Sequence, residues 1–164
     1  MEKVVLDEHK LIYKALEHID YIDSFSSLLK RKDIDNNELI SAFFTSSPPW
    51  VDKLFTLRNK LLGFFGFKTD MGELDAKPPF IEGQKVGFFY LYILGKNEVI
   101  MGEDDKHLDF RVSFLTEENK LIITTAVMFK NKFGKIYFFI VKPFHKIIVA
   151  IMVKNMGEKL NAGK

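Results

Sequence analysis

The sequence predicts an α+β fold: an antiparallel sheet against a long C-terminal helix, with two short helices after the first strand. Two observations predict it. In residues 134–155, Tyr137, Ile140, Val141, Phe144, Ile148, Ile151 and Met152 fall on one side of a helix, and Lys135, Lys142 and Lys146 fall on the other. Ahead of that run, four apolar segments at 86–94, 98–103, 108–115 and 121–130 are joined by short polar turns, the spacing of an antiparallel meander.

In chain order, residues 6–17 carry a helical pattern through Leu11, Ile12, Ala15 and Leu16. Residues 21–29 read as a strand in which Tyr21, Phe25 and Leu29 share a face with Asp23 and Ser27. After the polar turn 30–37, Asp35 or Asn36 can cap a short helix over 37–45. Ser47 before Pro48-Pro49 is a capping hydroxyl followed by proline in the first turn, which starts a second helix over 49–65 that stops at Gly66. Residues 67–84 read as a surface loop with an extended piece at 79–81.

In the third meander strand, Leu108, Phe110, Val112 and Phe114 alternate with His107, Asp109, Arg111 and Ser113. Residues 135–142 fit a strand, with 131–134 as its hairpin turn, as well as a helix. The helical phase continues across Pro143, which favours one long helix kinked there. On that phase Phe138, Phe139, Val149 and Val153 lie towards the lysines, a partly exposed apolar strip open to a partner subunit or a membrane surface.

The length suits one domain over 1–164, with an N-terminal extension at 1–19 and a core at 20–160. Seventeen phenylalanines imply a bulky core or a cavity walled by rings. The absence of cysteine removes disulfides, thiolate nucleophiles and cysteine metal sites, and fits a cytoplasmic location. The first nine residues are too acidic for a signal peptide, and Lys142, His145 and Lys146 interrupt the last apolar run, so no transmembrane segment is expected. Charge is polarised: residues 1–118 hold 15 basic and 21 acidic side chains, residues 119–164 hold 9 and 1.

Arg58 projects from the apolar face of the second helix, between Leu54, Leu61, Leu62 and Phe65. A buried guanidinium needs a carboxylate, carbonyls or an anionic ligand, so Asp23, Glu103 and Asp109 are its candidate ion-pair partners. The densest polar run is 102–111. Within it His107 and Asp109 are the candidates for proton transfer, against a structural role on a solvated or inter-subunit hairpin face. No metal site is expected, because no second histidine sits at ligand spacing and no calcium-type loop is present. His145 lies at the edge of the last helix's apolar face, and Trp50 with the strand aromatics Phe88, Tyr90 and Tyr92 can line a pocket. The serine and glycine signatures of hydrolases, phosphate loops and dinucleotide folds are missing, and basic residues do not interleave with aromatics as nucleic-acid binding requires.

Four blocks carry a family resemblance: 21–25 (Tyr-Ile-Asp-Ser-Phe); 47–51 (Ser-Pro-Pro-Trp-Val) with 57–59 (Leu-Arg-Asn); 102–111; and 134–137 with 143–145 (Pro-Phe-His). The chain resembles an uncharacterised bacterial family whose members occur alone or fused behind short-chain-dehydrogenase-like proteins, and it looks like the stand-alone form. That family is similar to the START/SRPBCC superfamily, whose helix-grip fold wraps a curved antiparallel sheet around a long C-terminal helix and leaves a hydrophobic cavity. The resemblance implies binding of a small hydrophobic molecule or lipid without a cofactor, and it carries over no catalytic residue. On that reading Arg58, Trp50, Tyr90, Phe110, Tyr137, Phe144 and His145 are the expected ligand-binding residues. The alternatives are a cyclase- or dehydratase-type enzyme using His107 and Asp109, and an accessory partner of a reductase-like protein. A homodimer would form through the exposed face of the last helix or the 102–111 hairpin.

Overall fold

A computed structural model describes residues 2–7, 10–51, 53, 56 and 77–163. Its strands are β1 (Glu2–Lys3), β2 (Tyr21–Leu28), β3 (Lys85–Val86), β4 (Phe89–Leu94), β5 (Glu98–Asp104), β6 (Leu108–Glu117) and β7 (Lys120–Phe129). They form one antiparallel sheet in the order β1-β2-β7-β6-β5-β4-β3. The helices are α1 (Asn36–Thr45) and α2 (Lys132–Ala162), with a 3-10 turn at Leu11–Lys14. Residues 49–51, 53 and 56 are helical, at the expected start of the second short helix. The remaining residues of the expected span 49–65, with Arg58, lie outside the described residues. A sheet clasping a long C-terminal helix, with short helices between the second and third strands, is a helix-grip-like arrangement.

Local chemistry accounts for the elements. Asp35 caps α1 by accepting from the Glu38 N–H at 2.8 Å. The expected strand at 86–94 is split by a turn at Gly87, whose φ of 59° suits a residue without Cβ, and β3 folds back on β4. Between β6 and β7 the turn residues Glu118 and Asn119 take φ of 48° and 62°, the left-handed pair that a tight hairpin with the right twist needs. The helical pattern over 6–17 condenses to the 3-10 turn, and no strand forms at 79–81.

Two apolar layers result. On the helix side, Val99, Met101, Val112, Phe114, Leu121 and Ile123 meet Met152, Val153, Met156 and Leu160 of α2, together with Leu39, Ile40 and Phe43 of α1. The Phe43 ring lies 4.9 Å from that of Phe114, which is fully buried. Truncating a ring so placed costs about 3–5 kcal/mol. On the other side, Leu115, Ile122 and Ala126 are covered by Leu6, Ile12 and Leu16 of the N-terminal segment.

Residues 135–142 are helical, as the phase argument expects. Both neighbours of β7 are taken by β2 and β6, so no open strand edge lies beside the end of β7 for them to join. Asn131 caps the helix instead, accepting from the Gly134 N–H at 3.1 Å. The helix stays continuous across Pro143.

The face that α2 buries differs from the expected one. Phe138 and Val153, expected near water, are buried, while Ile140 and Phe144, expected inside, are 62% and 53% exposed. Tyr137, Val141, Ile148 and Ile151 are half-buried, and Phe139 is exposed as expected. Lys142 explains the rotation. It is half-buried, with its ammonium 4.7 Å above the Tyr21 ring, so a lysine taken to mark the wet face runs its stem along the protein. The two helix glycines were the better markers. A Cβ on Gly134 would run into the His107 carbonyl, and one on Gly157 into Ser27, so both sit where the helix backbone touches the sheet.

The last turns of α2 are firmly tied. Asn161 accepts from the Lys30 N–H at 2.7 Å and donates to the Leu28 carbonyl at 2.9 Å, and Asn155 donates to the Ser46 carbonyl at 3.0 Å.

Candidate functional site

Alternation along β2 sends Tyr21, Asp23 and Phe25 to the helix side of the sheet, and along β7 it sends Ile123, Thr125 and Val127 there. Asp23 is thereby buried on a largely apolar face, directly opposite Thr125. A carboxylate so placed needs donors. The Tyr21 hydroxyl donates to Oδ2 at 2.5 Å, and His145 Nε2, from the middle of α2, lies 3.4 Å from Oδ1. Rings wall the group: Phe138 stands 4.7 Å from Tyr21 and 6.1 Å from His145, with Phe129 behind it at 5.5 Å. Burial, then the hydrogen bond to Asp23, raises the Tyr21 pKa well above its ordinary value of 10, so the phenol stays a donor.

Thr125 Oγ1 is buried with no hydrogen-bond partner among the described residues. Such a hydroxyl has hydrogen-bonding capacity to spare. Chemically, the group can hold a polar head by hydrogen bonds while its aromatic wall takes an apolar body.

The other expected site residues are placed as follows. Arg58 lies outside the described residues. Phe110 and Tyr137 are half-buried around the apolar cluster next to Tyr21. Trp50, Tyr90 and Phe144 are exposed at 41%, 37% and 53%. Glu103 is buried on the helix side like Asp23 but three strands away on β5, opposite Phe110.

His107 meets the start of α2, and Asp109 holds the hairpin ahead of it. His107 is buried, with Nδ1 3.2 Å from Oδ1 of the capping Asn131, and its carbonyl accepts from the Lys130 N–H at 3.0 Å. Asp109 accepts from the Asp105 N–H at 3.0 Å and pairs with Lys130 at 2.7 Å. The hairpin that reads as a solvated face is therefore largely buried, with only Asp104 and Lys106 exposed between positions 102 and 109. Beyond it, Arg111 pairs with Asp104 at 2.8 Å and stacks 3.8 Å over Tyr92. Burial raises the Asp104 pKa, but the hydrogen bond and charge of Arg111 outweigh it and leave the group lowered.

Two open clefts accompany these features among the described residues. One of about 350 Å³ runs along Tyr90, Tyr92, Glu103 and Asp104, and one of about 310 Å³ lies at the head of α2 between Asp20, Lys130 and Lys135. No group of three or more histidine or acidic side chains suited to a metal ion occurs among the described residues. Thr125 and the pairing of Asp23 with His145 escaped sequence reasoning. The available signal was a pair of threonines, Thr124 and Thr125, inside the otherwise apolar run 121–128.

No curated protein and no solved structure matches the chain. A family match spans residues 15–152, from the segment ahead of β2 to Met152 of α2, and so takes in Tyr21, Asp23, Thr125 and His145. The chain belongs to the family described as Protein of unknown function (DUF2867).

Proposed function

We propose that this protein is a START/SRPBCC-like module of one domain that binds a small hydrophobic molecule or lipid between the sheet and α2. The observation that carries the reading is the buried Asp23 carboxylate on the helix side of the sheet, held by Tyr21 and His145 within a wall of rings. The idle Thr125 hydroxyl beside it supports the same reading, as does the helix-grip-like arrangement of sheet and helix. In this proposal the polar head of the ligand meets Tyr21, Thr125 and His145, and Arg58 supplies a fixed positive charge for an acidic head. Phe110, Phe138 and Tyr137 accept the apolar body.

The test is extraction of protein purified natively without detergent, followed by mass spectrometry of the organic phase, with cis-parinaric acid as a fluorescent probe for emptied protein. A near-stoichiometric apolar compound, or saturable parinaric acid binding, is expected. Thr125→Val and Arg58→Met should each weaken it, by about tenfold where a hydrogen bond to a charged head is lost. Folded protein that releases nothing and binds no parinaric acid would overturn the proposal.

A further inference from the structure

The outer side of α2 carries a second feature, separate from the Asp23 group on its inner side. Phe133, Ile136, Ile140, Phe144 and Ile147 recur at spacings of three and four, which places them on one stripe of the helix surface. All are more than half exposed, and Phe139 at the stripe's edge is 79% exposed. Isolated exposed apolar residues are ordinary, but a continuous stripe over four turns is an interaction surface. Its composition narrows the occupant. From position 130 to 154 the chain holds six lysines and no acidic residue. Of these, Lys132, Lys135 and Lys146 are exposed and project along one flank of the stripe.

We infer that this stripe docks the protein on an anionic bilayer surface, with α2 lying in the plane of the interface. An apolar face bordered by lysines, on a helix free of acids over that length, is the chemistry of interfacial attachment. A second copy of the chain fits less well. An antiparallel two-fold contact would set one lysine flank against another, with no carboxylate on this part of the helix to offset it. Insertion across the bilayer fits less well too. The helix is long and apolar enough to span, but its opposite face is committed to the sheet through Phe138, Met152, Val153, Met156 and Leu160. The lysines attract the headgroups and the phenylalanines and isoleucines enter the acyl boundary. This places the helix that lines the proposed ligand site at the membrane, without depending on that site being occupied.

Flotation of the full chain tests this, with vesicles of phosphatidylcholine alone and of phosphatidylcholine with about 30 mol% phosphatidylglycerol, a surface potential within a lysine's reach. The protein should float with the anionic vesicles, little with the neutral ones, and fall off them in about 0.5 M salt, where the Debye length is only a few ångströms. Each of Lys135→Gln and Lys146→Gln should lower the partition coefficient about fivefold. Ile136→Ser/Ile140→Ser should abolish flotation while leaving the circular dichroism spectrum intact, since both side chains lie outside the core. Three results would overturn the inference: no flotation of the unaltered protein with either vesicle, equal and salt-insensitive flotation with both, or a dimer in sedimentation that Ile136→Ser/Ile140→Ser splits and that ignores vesicles. The salt and lipid dependence are read on the unaltered chain, so a misfolded variant does not void the test.

Discussion

Nε2 of His145, halfway along the C-terminal helix, lies 3.4 Å from Oδ1 of Asp23, 122 positions earlier on the second strand. The other carboxylate oxygen takes the Tyr21 hydroxyl at 2.5 Å. One buried acid thus joins the sheet to the part of the helix that is least covered by apolar contacts. Asp23→Ala leaves a partly buried phenol without its acceptor and should cost about 1–3 kcal/mol. Asp23→Asn keeps an acceptor oxygen and should cost less. Urea unfolding of the two variants measures the difference, and equal losses would mean that the Tyr21 hydrogen bond contributes little.

Tyr21 and Tyr92 should resist alkaline ionisation. Burial raises both pKa values from 10, with Asp23 adding to the shift at Tyr21, and Tyr92 is pushed up to about 12 despite the opposing charge of Arg111. The sign follows from linkage. Above pH 10 the unfolded chain releases phenolic protons that the folded chain retains, so stability is complete below pH 10 and falls as pH rises towards 12 and beyond. Ultraviolet titration should show two late phenols, and Tyr92→Phe should remove one of them.

Gly134 and Gly157 mark where the helix backbone rests on the sheet. A methyl group on Gly134 meets the His107 carbonyl, which is backbone and cannot turn aside, whereas on Gly157 it meets the Ser27 side chain. Gly134→Ala should therefore destabilise by about 1–3 kcal/mol or more, against the usual small gain of alanine in a helix. Gly157→Ala should be milder, and Gly157→Ala combined with Ser27→Gly milder still. Thermal melts rank the three.

Asn131 does two jobs, capping the helix at Gly134 and contacting His107 Nδ1 at 3.2 Å. Asn131→Ala should cost about 1–2 kcal/mol and Asn131→Asp should restore most of it, because an aspartate oxygen caps as well. If alanine is harmless, the hairpin and not the cap starts the helix.

The meander was readable because each strand alternates and each turn is short and polar, and its four strands lie close to where the pattern puts them. The helix caps at Asp35 and Asn131 use ordinary side-chain chemistry, though only the first was anticipated. The rotation of α2 was not readable. Between Ile136 and Val141 every residue is apolar, so periodicity sets no phase there, and the lysines that seemed to set it are long enough to lie on either side. Asp23 and His145 were each singled out, but their meeting depends on where α2 crosses the strands, which no local pattern encodes. His107 and Asp109 looked solvated because a polar hairpin usually is. His107 is buried beside the head of α2, and Asp109 is buried where it meets the Asp105 N–H and Lys130.

The most direct test of a ligand held inside the clasp is methyl NMR of isotopically labelled protein titrated with the compound it releases on extraction, or with dodecanoate. Val127, Ile148 and Val149 report the space between sheet and helix, Ile122 the opposite layer, and Ile136 and Ile147 the outer stripe. Saturable shifts at Val127, Ile148 and Val149, with Ile122 and Ile136 unmoved, are the expected result. Shifts confined to Ile136 and Ile147, or none at saturating ligand, would contradict an interior site.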